Sequence, residues 1–140
     1  LGEYFVAEAD ESDGSFLKTP AFGAIVTNLE NDHLSYWKEP EMLDRAFRAF
    51  FSQAQRPQHL FWCADDVRLS ALLPPGASYG FSEQADWKIS TLQSTEKGLS
   101  FDLSFGKVSY PSLLVSLWGR HNALNAAAAF ALALSLGAEE

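Results

Sequence analysis

At 140 residues and 15.4 kDa, the chain has room for one domain with a substantial core and not for two ordinary ones. Its composition, 47% hydrophobic, 20% charged and 14% aromatic, excludes a disordered tail, a collagen-like repeat and a charged linker. Ten Lys and Arg against 18 Asp and Glu give a net charge of -8, which excludes a broad cationic surface for nucleic acid; an anionic ligand has to be held locally, by backbone N–H groups, a helix N-terminus or a bridging cation.

Tyr4-Phe5-Val6-Ala7 is a short apolar run closed by Glu8, Asp10, Glu11, Asp13 and Gly14, which predicts a buried strand ending in an acidic loop. Phe22 to Thr27 repeats the pattern and delivers a second polar loop, Asn28 to His33. Both runs are continuous rather than alternating, as expected of parallel strands covered on both faces. Glu39 to Gln55 carries Pro40 in its first turn and Met42, Leu43, Ala46, Phe47, Phe50 and Phe51 at helical spacing, an amphipathic helix. Leu60 to Cys63 reads as a further strand, and Ala64 to Leu73 as a helix stopped by Pro74-Pro75.

From Ser78 the texture changes to short segments between Gly and Pro: Ser78 to Phe81, Trp87 to Leu92, Leu99 to Phe105 and Leu113 to Trp118. Strict alternation in Leu99 to Phe105 predicts a half-buried antiparallel strand. Gly119-Arg120-His121-Asn122 opens an Ala- and Leu-rich helix to about Leu136, with Gly137 as its stop, expected to be buried on most of its surface. The predicted fold is α/β: a mostly parallel sheet from Leu1 to about Leu73, flanked by helices, with a small antiparallel portion between Ser78 and Trp118.

Cys63 is the only cysteine, so the chain forms no internal disulfide and no cysteine zinc cage, in keeping with a reducing cytoplasm. The longest apolar run, Ala126 to Leu134, falls far short of the roughly 20 residues that span a bilayer, so no membrane role is expected. The start lacks an initiator methionine and a basic-then-apolar leader, which suggests a piece of a longer polypeptide.

Three clusters carry chemistry. The carboxylates Glu8, Asp10, Glu11 and Asp13 follow a predicted strand, where open α/β sheets bind ligands; they read either as a divalent-metal site or as a solvated acidic loop. His33 ends the next polar loop beside Asp32 and reads as a general base, a metal ligand, a phosphate partner or a plain surface histidine. Asn122 and Asn125 share one helical face and read either as amides for a planar edge such as adenine, or as an N-cap and a buried structural amide. Trp37, Trp62, Trp87 and Trp118 fall in separate segments and read as core or edge aromatics.

Taken together, EADESDGSF (Glu8 to Phe16), IVTNLENDHL (Ile25 to Leu34) and GRHNALNAAAA (Gly119 to Ala129) closely resemble the central domain of the Mur ligases. The resemblance implies an ATP-binding α/β domain with a UDP-sugar domain before it and an amino-acid-binding domain after it. No G-x-x-x-x-G-K-[ST] string occurs here, so residues 1–140 are expected to be a single partial domain lacking its N-terminal phosphate loop.

By the same resemblance, Glu8 and His33 match residues that bind Mg2+ and act in catalysis by positioning cations; the imidazole also allows Mn2+. Asn122 and Asn125 match asparagines near adenine, with His121 in the same cofactor-binding group, and Asp10, Ser12 and Asn28 would lie close to substrate. Two departures stand out. The family often reads D-H-M-D where this chain has Asp32-His33-Leu34-Ser35, and a carbamylated lysine of several sister ligases is replaced by the stretch Phe47-Arg48-Ala49. The latter fits the branch that joins L-alanine to UDP-N-acetylmuramate in peptidoglycan synthesis, through an acyl phosphate that the amine displaces. The alternatives are the related ligase that recycles a tripeptide onto the same sugar and a non-catalytic nucleotide-binding module. The 140 residues alone are expected to be inactive.

Overall fold

The computed structural model describes residues 3–30 and 33–139. Its strands form one six-stranded mixed sheet in the order β1 (Ala24–Val26), β2 (Leu60–Cys63), β3 (Ala77–Gly80), β4 (Trp87–Thr95), β5 (Gly98–Phe105) and β6 (Val108–Val115), so spatial order follows sequence order. The pairs from β1 to β4 are parallel, and β4–β5 and β5–β6 are antiparallel. The helices are α1 (Leu34–Trp37), α2 (Pro40–Gln53), α3 (Val67–Leu72) and α4 (Arg120–Ser135).

Because β1, β2 and β3 step in one direction, right-handed crossovers place α2 and α3 on the same face. There Arg68 Nε donates to Asp44 Oδ1 at 2.7 Å and Arg48 Nη1 to the Leu72 carbonyl at 3.2 Å, tying the two helices together. α2 forms as its pattern predicts, with Pro40 at its start and Leu43, Ala46, Phe47 and Phe51 buried. Phe16, from a short 3-10 helix over Ser15–Lys18, packs its ring 5.2 Å from Phe47 and 6.4 Å from Trp37.

The other face is covered by α4, which touches all six strands through a seam of fully buried Ala123, Ala127, Ala128 and Ala131. These side chains are small enough to bring the helix axis close to the sheet. His121, Asn125, Ala129 and Ala133 remain exposed as one narrow stripe, while Leu124, Ala126, Phe130, Leu132 and Leu134 pack against the core beside the alanine seam, so α4 is covered over most of its surface, as expected. Ser135 Oγ lies 2.9 Å from His59 Nδ1, just before β2 begins, so α4 ends at the edge where the parallel strands start.

Leu99 to Phe105 is a strand, and an antiparallel portion exists as predicted, but several boundaries differ. Tyr4 to Ala7 is not a strand: Phe5 and Val6 are 93% and 90% exposed. An apolar run encodes a wish for burial, and pairing needs a neighbouring strand; among the described residues the stretch offers one ring contact, Tyr4 on Phe22 at 6.2 Å. The predicted strand at Phe22 to Thr27 contracts to three residues. The parallel part runs on through β3 and the start of β4, so Ser78 to Gly80 belongs to it and Phe81 begins the loop that follows.

The last strand spans Val108–Val115 in place of Leu113 to Trp118, and Trp118 is 59% exposed rather than a core or edge aromatic. Pro111 sits within it, tolerated because β6 is an edge strand of the described sheet and Pro111 falls in the register shift between Tyr110 and Leu113. Leu1, Gly2, Asn31, Asp32 and Glu140 lie outside the described residues.

The antiparallel part is a meander with two-residue turns at Glu96-Lys97 and Gly106-Lys107. Register shifts on both sides of Asp102 put Thr91 (φ 53°) and Ser112 (φ 55°) in the left-handed region. Asp102 Oδ1 accepts the Ser112 N–H at 2.8 Å, and that bond, together with one from the Thr91 side chain, holds the carboxyl below its ordinary range.

Candidate functional site

The parallel strands β1, β2 and β3 deliver three loops to one edge: Thr27 to Glu30, Ala64 to Asp66, and Phe81-Ser82. Asp66 is the N-cap of α3, accepting the Leu69 N–H at 2.7 Å on one oxygen and the Leu29 N–H at 3.2 Å on the other. One carboxylate thereby fixes the loop after β1 to the loop after β2. Asp65 Oδ1 accepts the Ser82 N–H at 2.8 Å, joining the third loop. Its Oδ2 lies 3.4 Å from Arg120 Nη2, and the Arg120 guanidinium stacks over the Phe81 ring at 3.4 Å from the centroid. The start of α4 is thus brought to the same edge. Gly80 is required here because a Cβ would meet Asp65 Oδ1 at 2.5 Å.

The acidic loop reaches this edge through His33 and Trp37. Trp37 Nε1 donates to the Glu11 carbonyl at 2.8 Å, and Glu11 Oε1 lies 3.7 Å from His33 Nε2. His33 itself is exposed, at φ 56°, and its carbonyl accepts the N–H groups of Tyr36 and Trp37 to open α1. A non-glycine residue held left-handed costs conformational energy, which the aromatic packing of Trp37 offsets.

Within the loop, Asp10 Oδ1 accepts the Ser12 hydroxyl at 2.6 Å and the Ser12 N–H at 3.0 Å, bonds that lower the Asp10 carboxyl's affinity for a proton. Asp13 is lowered in the same way by Ser15. Asp10 and Ser12 therefore satisfy each other, and their first role is to shape the loop. Glu8 is exposed and makes no hydrogen bond or ion pair among the described residues. Asn28 accepts from the Thr27 hydroxyl at 2.9 Å and donates to Glu30 at 3.4 Å.

At α4, Gly119 (φ 98°) is the N-cap, and a Cβ there would lie 2.7 Å from the His121 ring. Asn122 is not the cap; it sits in the first turn and donates through Nδ2 to the Trp118 carbonyl at 2.8 Å. Asn125 is exposed and not a buried amide, so its amide remains open to a ligand. His121 is exposed beside them.

His33, Asn28, Asn122 and Asn125 stand out in the sequence; Asp65, Asp66 and Arg120, which knit their loops together, do not. Asp65 and Asp66 were legible as the polar end of a third apolar run, but the stretch from Ala64 reads as helix. Cys63, buried at the end of β2, has its thiol pushed up by burial and is an inert core residue.

Mg2+ takes one or two protein carboxylates and completes its shell with water and phosphate oxygens. Among the described residues no group of three His, Cys, Asp or Glu converges as a closed cage. The open Glu8 carboxylate, on the same loop as Glu11, whose Oε1 faces His33 of the next loop, fits that partial kind of shell, and the imidazole is compatible with Mn2+ as well.

Residues 2–133 match the family described as the Mur ligase middle domain. Over the whole chain the sequence is 51% identical to a UDP-N-acetylmuramate–L-alanine ligase of Protochlamydia amoebophila, and over 97% of it 38% identical to one of Anaeromyxobacter dehalogenans. The chain spans 31% of the length of each of these curated relatives. Among solved structures, the UDP-N-acetylmuramate–alanine ligase MurC of Thermotoga maritima superposes with a TM-score of 0.77 at 23% identity, covering 93% of this chain and 29% of that one. A UDP-N-acetylmuramate:L-alanyl-gamma-D-glutamyl-meso-diaminopimelate ligase from Neisseria meningitides gives 0.70 at 21%, covering 88% and 38%. At these identities the structures speak for the fold.

Proposed function

The chain belongs to the Mur ligase middle-domain family, and from that premise we propose that it is the nucleotide- and cation-binding part of an ATP-dependent ligase joining L-alanine to UDP-N-acetylmuramate in peptidoglycan synthesis. Residues 1–140 then form most of one domain of a larger enzyme, with the phosphate loop contributed by chain outside them. The observation that carries the reading is the linkage at one sheet edge of the His33 loop, Asp66, Asp65 and the first turn of α4. Relatives at 51% and 38% identity that bear the L-alanine ligase name favour that substrate pair over a tripeptide.

In this reading Glu8 and His33 would hold Mg2+ or Mn2+, which would supply neutralisation of phosphate charge during transfer to the sugar's carboxylate. Asn122 and Asn125, with His121 beside them, present amide donors and acceptors to the adenine edge. Asn28, Asp10 and Ser12 line the approach of the substrate carboxylate. None of these groups acts as a nucleophile; they orient, with the Asn28 loop tied by Asp66, the start of α4 by Asp65 and the acidic loop by Trp37, so that the orientation is preformed.

The test is a phosphate-release assay of the full-length parent with UDP-N-acetylmuramate, ATP, Mg2+ and one amine acceptor at a time. Turnover is expected with L-alanine and to require all four components. Turnover with an L-alanyl-D-glutamyl-diaminopimelate tripeptide in its place assigns the recycling reaction instead, and ATP binding with no turnover on either acceptor assigns a non-catalytic module.

A further inference from the structure

We propose that Arg120 is a positioning residue for nucleotide recognition: clasped to Asp65 and Phe81, it sets where the first turn of α4 presents Asn122. The inference rests on the adenine role given to that turn above. The start of α4 has no side-chain cap, since Gly119 supplies none, and no acidic residue in its first turn to complement the helix dipole. Its local bonds, Asn122 N–H to Gly119 and Asn122 Nδ2 to Trp118, run within the same few residues, and the buried Ala123 seats the turn on the sheet through apolar contact that has no direction. Arg120 adds a directional tie. Its guanidinium reaches across 55 residues of sequence to Asp65 and lies flat on Phe81.

Both partners are tied to the sheet. Asp65 is 22% exposed at the side chain, accepts the Ser82 N–H, and lies where a Cβ at position 80 would come within 2.5 Å of its Oδ1. Phe81 follows directly from β3. A flat, forked guanidinium satisfies a carboxylate and a ring at once, which an ammonium does not. The cation loops are held by different residues, Asp66 and Trp37, so loosening the clasp leaves them in place.

The experiment uses the full-length parent and measures KM for ATP and for GTP, with kcat, in Arg120→Met, Arg120→Lys, Asp65→Asn and the double variant Arg120→Met/Asp65→Asn, with Asn122→Ala as reference. Arg120→Met is expected to raise KM for ATP about threefold to fivefold, the size of one partly exposed ion pair, with kcat changed less than about twofold and the preference for ATP over GTP reduced. Asp65→Asn, nearly isosteric, should do the same, Arg120→Lys should recover little, and the double variant should be no worse than either single one. Equal increases for ATP and GTP, with additive effects, would instead make Arg120 a direct phosphate contact and overturn the proposal, as would unchanged constants. If Asn122→Ala shifts the ATP to GTP ratio while Arg120→Met does not, the clasp alone is refuted. If Asn122→Ala leaves the ratio unchanged, the adenine reading fails and the inference with it.

Discussion

Asp66 and Leu29 lie 37 residues apart in sequence, yet the carboxylate that caps α3 also accepts the Leu29 N–H, so one side chain both starts a helix and fastens the loop of the neighbouring strand. The two jobs use different oxygens. Asp66→Ala removes both and should destabilise the chain by about 1–2 kcal/mol, the size of a lost N-cap. Asp66→Asn keeps one acceptor for the cap and loses the other; its cost in stability should be smaller, with a comparable loss of turnover in the parent. Denaturant melts and ligase assays of both variants check this, and an Asn variant with wild-type activity would show that the Leu29 tether is dispensable.

Glu8→Gln in the parent should leave the melting temperature unchanged, because the side chain is exposed and unpartnered among the described residues. Turnover should drop strongly and recover in part when Mg2+ is raised, since a weakened site still fills by mass action. A metal titration at fixed ATP reads this out; unchanged turnover at low Mg2+ would remove Glu8 from the site.

Residues 1–140 by themselves should show no ligase activity and bind MgATP weakly. Phosphate binding in such sites comes largely from backbone N–H groups and a lysine of a glycine-rich loop, and no such string occurs in this sequence. Calorimetric titration of this chain against its parent decides it. Equal affinities would mean that the nucleotide site is complete within these residues.

The Asp102 carboxyl is held below its ordinary 3.8 by Ser112 and Thr91, so its contribution is full above that value and is lost as pH falls through the lower folded value. Below pH 3.8 the Ser112 amide should therefore lose protection, and the β5–β6 ladder should loosen first at that point. Amide exchange followed from pH 5 to about pH 2 would show it. Protection of Ser112 that does not change with pH, or an Asp102→Asn variant that titrates like the parent, would rule it out.

How far the sequence reaches depends on what each signal encodes. The face of α2 is legible because Leu43, Ala46, Phe47 and Phe51 repeat at the helical period and nothing distant is needed to interpret them. β5 is legible for the matching reason at period two. β6 is misplaced because it is a largely exposed edge strand interrupted by Pro111, while the apolar Leu113-Leu114-Val115 at its end draws the boundary forward. Tyr4 to Ala7 misleads because apolarity says nothing about which strand will lie alongside. Asp66 carries an N-cap signal directly ahead of Val67-Arg68-Leu69, but the apolar Ala64 before it draws the helix start forward. Arg120 could not be found this way: its significance lies in Asp65 and Phe81, and only folding brings them together.

The two halves of the sheet make different demands on a chain that is still disordered. Between β4 and β6 each new strand needs closure of a turn of two residues, whereas β1 finds β2 only after two helices and a 3-10 turn have been laid down between them. Closing the longer loop costs more entropy before any contact compensates for it. Assembly should therefore run against the direction of the sequence, the meander forming first and offering β4 as the template on which β3, β2 and β1 are added in turn. The edge that carries His33 would be the last to appear, and pulse-labelled amide exchange during refolding should find Ile89 and Leu103 protected before Ile25.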